Sequence, residues 1–149
     1  MSQIKQNLNL GDIVKISLGS GQLAFARILK NPLMAFYGLK SEKIPSIEFM
    51  ILKPIVFKIW VMKHDWPVIG NSPLTSDLEK PPIFFNRDPI SKKLSLYYME
   101  DGKEKSASFE ECENLECAAV WSPSHIIDRL NDYFVGKPNK WVESMKPRS

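Results

Sequence analysis

The chain has 149 residues, 44% hydrophobic and 25% charged, which suits one domain with a substantial core. Its most apolar segment, residues 55–62, is too short to span a bilayer and carries Lys58, and the amino-terminal stretch lacks the apolar run of a signal peptide, so a cytoplasmic, membrane-free protein is expected. The net charge of +3 hides a polarity: residues 1–60 carry 8 basic and 3 acidic side chains, residues 61–121 carry 7 and 11, and residues 122–149 carry 5 and 3. Such a distribution can steer a charged partner or simply solvate two faces. Two cysteines, Cys112 and Cys117, make no disulfide framework and are expected as free thiols.

Ile13–Leu18 and Gln22–Leu29 are short, rich in β-branched and aromatic residues, and separated by Gly19-Ser20-Gly21, a hairpin signal. Asn31-Pro32 predicts another turn and Leu33–Leu39 a third strand. Ser46 can cap a short helix over Ile47–Leu52, and Ile55–Met62, apolar on both faces apart from Lys58, reads as a central strand. Residues 64–93 contain Pro67, Pro73, Pro81, Pro82 and Pro89 and read as a loop packed through Trp66, Phe84 and Phe85, with a helical turn at Thr75–Lys80. Leu94–Met99 and Lys103–Phe109 flank Glu100-Asp101-Gly102, a hairpin signal because Asp-Gly supplies the positive φ of a type I′ turn. Glu110–Glu116 reads as an acidic connection and Cys117–Trp121 as a last strand. Ser122-Pro123 opens a helix whose Ile126, Ile127, Leu130, Tyr133 and Phe134 form one apolar stripe, ended by Gly136 and Pro138, with a further helical turn at 139–145. The expected fold is α+β: a curved, mostly antiparallel sheet or partly open SH3-like barrel with a C-terminal helix packed on it. Residues 1–149 are expected to form a single domain with short flexible ends at about 1–9 and 146–149.

Chemistry is sparse. His64-Asp65 has the makings of an acid–base or metal pair, yet no second histidine lies near it in sequence, and His125 stands alone at a helix start. Cys112, Cys117 and His125 offer three zinc ligands without the paired Cys-x2-Cys spacing or a fourth ligand, so two ordinary thiols are the better account. There is no phosphate-cradling glycine loop between strand and helix and no nucleophile elbow. No catalytic, cofactor-binding or metal-binding residue is therefore assigned. Phe25 with Arg27, Tyr37 with Lys40, and Lys58 with Trp60 interleave rings and cations as single-stranded nucleic-acid binders do, and the Gly11-Asp12-Ile13-Val14 start resembles SH3-like barrels, including plasmid-maintenance endoribonucleases. Strand aromatics more often face a core, so nucleic acid is disfavoured as a partner.

Several motifs occur in a telling order. They are Gly11-Asp12-Ile13-Val14-Lys15-Ile16, Ala24-Phe25-Ala26-Arg27-Ile28-Leu29, Phe36-Tyr37, Ile44-Pro45-Ser46-Ile47, Trp66-Pro67-Val68-Ile69-Gly70, Ala119-Val120-Trp121, His125 to Arg129-Leu130, and Asn139-Lys140-Trp141-Val142-Glu143. In this order the chain, over roughly residues 11–145, resembles the immunity protein 26 family of bacterial polymorphic toxin systems. Ser17 stands where that pattern has a proline, and Lys63-His64-Asp65 is a shorter connection than usual. The resemblance implies a non-catalytic protein without cofactors that binds and neutralises a cognate toxin domain; it carries over no binding residues. The surfaces expected to meet that partner are the loop 64–93, with Trp66 as an exposed anchor, and the acidic stretch with Asp101, Glu104, Glu110, Glu111 and Glu113, which would suit a basic nuclease toxin. The alternative is an SH3-like barrel that binds RNA, as a plasmid-maintenance-type ribonuclease does.

Overall fold

The computed structural model describes residues 8–148. Parts of the two expected flexible ends, residues 1–7 and 149, lie outside the described residues. Four strands follow one another as antiparallel neighbours: β1 (Asp12–Gly19), β2 (Gln22–Ile28), β3 (Leu33–Ser41) and β4 (Ile55–Val61). β5 (Val68–Asn71) pairs with β1 at one edge, and β9 (Val120–Trp121) pairs in parallel with β4 at the other, giving a six-stranded mixed sheet in the order β5-β1-β2-β3-β4-β9. A second, three-stranded antiparallel sheet holds β6 (Ile83–Arg87), β7 (Leu94–Tyr98) and β8 (Lys103–Ser106). Both sheets are open; neither closes into a barrel. Five helices complete the described residues: α1 (Ile47–Met50), α2 (Ser76–Glu79), α3 (Phe109–Cys112), α4 (Pro123–Phe134) and α5 (Lys140–Met145).

The large sheet is covered on both sides, which is why its strands are apolar almost throughout. β2 buries Ala24 through Ile28 without a break. One face meets α4 and α5 through Val14, Ile16, Met34, Phe36, Ile59, Trp121, Ile126 and Leu130. On the other face Met50 of α1 sits on Ile13, Phe25 and Tyr37, while Phe84 of the small sheet and Leu78 of α2 sit on Leu33 and Ala35. Burying each valine, leucine, isoleucine, methionine or phenylalanine among them is worth about 1.5–3 kcal/mol. The helix expected after Ser122 forms as read: the Ser122 hydroxyl accepts from His125 N, and Pro123 occupies its first turn.

Four expectations change. The loop 64–93 is not irregular throughout, because β5 and β6 form between its prolines. The acidic connection at 110–116 contains α3, whose Ser108 and Glu111 make a reciprocal capping box. The last strand shrinks to Val120–Trp121, with Cys117 forming an isolated parallel bridge to Phe85. The Asp101-Gly102 turn is not type I′: Gly102 has a positive φ but Asp101 does not, and Gly102 N donates to Tyr98 O across a four-residue loop. The two-residue type I′ hairpin turn lies at Ser20-Gly21, where both φ values are positive.

Candidate binding surface

The small sheet positions the acidic residues. Its β7 has two faces. Leu96 packs with Phe85 and Cys112 under α3, and Tyr97 packs toward Trp60 and Phe84 of the interior seam. β8 is the outer strand and all four of its residues are exposed. The register therefore separates the residues that the sequence grouped. Asp101 lies at the hairpin tip, where its carboxylate accepts from Lys103 N. Glu104 stands opposite Tyr97 and accepts from Asn86 Nδ2 at 2.8 Å. Glu110 and Glu111 belong to α3, over the Leu96 face, and Glu113 ends that helix. The six expected contact residues do not form one patch.

Trp66 is corrected as an exposed anchor: it is 6% exposed, within the core under α4, set edge-on to Phe36 and stacked by His64 at 4.6 Å. His64 Nδ1 accepts from Trp66 N. Burial holds the His64 imidazole below its ordinary pKa, with the charge of Asp65 pulling the other way. His125 stacks on Trp141 at 3.6 Å and 15°. Each histidine is thus engaged by a tryptophan. Cys112 is buried against Phe85 and Leu96, and Cys117 packs beside it. Burial pushes both thiols up, aided by Glu111 at Cys112 and Glu116 at Cys117, which suits inert thiols. Among the described residues no group of three or more His, Cys, Asp or Glu is arranged to hold a metal ion.

Most of the interleaved rings pack inside the fold, while Lys40 is exposed and Lys58 half-buried. Phe25, Arg27 and Tyr37 are buried. Arg27 of β2 donates to Gly11 O, Ser72 O and the Tyr37 hydroxyl, so it ties β2 to the residue before β1, to β3 and to the loop after β5. Trp60 packs against Phe84 and Tyr97, and Lys58 donates to Asp77 O. Phe25 and Tyr37 are thus closed to a base, and Trp60 is partly buried among other rings.

Sequence reasoning missed the junction between α3, β9 and the C-terminal helices. Arg129 of α4 donates to both oxygens of Glu116, at 2.9 and 2.6 Å, while its guanidinium lies 3.8 Å from the Phe57 ring centroid and 5.0 Å from that of Trp121. Two recesses flank α5. One, of about 170 Å³, lies between the chain after α3 and the end of α5; Phe85, Trp121 and Val142 line it with Glu113, Asn114 and Lys146. The other, of about 290 Å³, lies beside β9 against His125 and Trp141. No sequence signal marks them, because each is assembled from separate stretches of chain.

No helix among the described residues is long and apolar enough to cross a membrane. No curated protein and no solved structure matches the chain. The family model described as immunity protein 26 matches residues 9–96, from the start of the large sheet into β7 and over more than half of the chain. The chain belongs to the immunity protein 26 family.

Proposed function

We propose that this protein is a non-catalytic immunity protein of a bacterial polymorphic toxin system. It binds a cognate toxin domain in the cytoplasm, one to one, and so neutralises it, with residues 1–149 acting as one domain. The observation that carries this reading is family membership across residues 9–96. The placement of the reactive side chains supports it: both histidines are stacked on tryptophans and both thiols are pushed up by burial, so these groups serve packing. Inhibition by surface complementarity asks for no more than a rigid frame and an exposed face.

Co-expression with the toxic domain encoded beside this gene tests the reading. Restored growth and a co-purifying 1:1 complex are expected. Continued killing, with both proteins soluble, would refute it.

A further inference from the structure

The recess between the chain after α3 and the end of α5 is lined by both apolar and charged side chains. Phe85, Trp121 and Val142 are among its apolar lining residues, and Glu113, Asn114 and Glu116 among its polar ones. At about 170 Å³ it is smaller than the roughly 300–1,000 Å³ of sites that enclose a whole small molecule. It matches one long side chain better than a free ligand.

Charge selects which side chain. Glu113 is exposed and has no ion-pair partner among the described residues. Lys146, the lysine among the lining residues, is paired with Glu143 at 2.8 Å. Glu110 and Glu111 on α3 add negative charge next to Glu113, partly offset by Lys103 and Lys105 on β8. The molecule already shows how its own cation uses this junction: the Arg129 guanidinium lies over Trp121 and closes on the Glu116 carboxylate. Trp121 and Glu116 also line the recess, and Glu113 is the carboxylate there without a partner.

We propose that this recess receives a lysine or arginine side chain from a basic surface of the toxin domain. Its alkyl stem lies on Phe85, Trp121 and Val142 and its charge meets Glu113, as long cationic side chains bury their stems and keep their heads at the rim. The inference rests on the immunity reading and adds the seat and the chemistry of the contact.

Binding of the co-expressed neighbouring toxin domain is measured for the wild type, Glu113→Lys, Glu113→Gln and the control Glu48→Lys, which makes the same charge change on α1. Glu113→Lys should weaken the complex by about tenfold or more and Glu113→Gln by less, while Glu48→Lys stays near wild type. Exchanging the responsible toxin cation for glutamate should restore binding to Glu113→Lys. If Glu113→Lys binds like Glu48→Lys, the recess is not the seat, although the immunity reading stands. Should Glu113→Lys misfold by circular dichroism, Glu113→Gln decides: unchanged affinity overturns the seat. Failure of the wild type to neutralise the toxin removes both the reading and the seat. A homodimer seen by sedimentation and dissolved by Glu113→Gln would also overturn the proposal, because the basic side chain would then be the protein's own.

Discussion

The two sheets are made differently, and the contrast separates frame from surface. The large sheet is sandwiched, with α4 and α5 on one side and α1 with the small sheet on the other. The small sheet is half open, and its outer strand β8 is wholly exposed and carries Lys103, Glu104 and Lys105. Edge strands with alternating charges resist pairing with other chains. The large sheet therefore has little freedom to change, whereas the small sheet and α3 can change charge cheaply. A protein that must meet a particular partner on a constant frame benefits from that division.

The contrast predicts unequal costs of truncation. Phe36→Ala, in the middle of the large sheet and stacked on Phe57 at 4.8 Å, should cost about 3–5 kcal/mol in urea unfolding. Leu96→Ala, in the small cluster under α3, should cost near the low end of about 2–5 kcal/mol. Equal losses would mean that the small sheet is as tightly built as the large one. Next in size is the tie between them. Glu116→Ala leaves Arg129 without its bidentate partner and should cost about 2 kcal/mol, discounted because the Glu116 side chain is 31% exposed. Limited proteolysis should then speed up within the small sheet before the large one. If cleavage rises equally in both, Arg129–Glu116 is not what joins them.

The smallest effect concerns His64. Its folded pKa lies below the ordinary 6.5 because burial disfavours the cation. The unfolded chain then binds the proton more tightly. This contribution to stability is complete above about pH 6.5 and is lost as pH falls through 6.5 toward the folded value. The melting temperature of wild type should fall more between pH 7 and pH 5 than that of His64→Gln. Parallel curves would place the pH sensitivity elsewhere.

Much of the large sheet was legible because strand alternation and turn chemistry are local. The prolines between 64 and 93 misled, since they suggest loop. Here Pro67 and Pro73 bracket β5 while Pro81 and Pro82 precede β6, outside the ladders they would have interrupted. The helix α3 was readable from Ser108 and Glu111, three residues apart, but its four-residue length and run of acids disguised it. The parallel pairing of β9 with β4 was not readable, for no local signal chooses a strand's distant neighbour. The burial of Trp66 and Arg27 depends on which layer covers each face, and the acidic residues are divided by the β7–β8 register. The recess beside α5 joins Phe85, Glu113, Trp121 and Val142, which only the folded chain brings together.

The β4–β9 ladder pairs Trp60 with Val120 and Val61 with Trp121, so each contact closes a loop of about sixty residues. β1 through β3 need only tight turns, and β4 joins them after a connection that holds α1. Loop-closure entropy must be met before a distant pairing returns anything, so the antiparallel core can assemble as the chain leaves the ribosome, whereas the far edge waits for residue 121. Until then β4 is an open edge on a nearly finished sheet, able to pair with another chain.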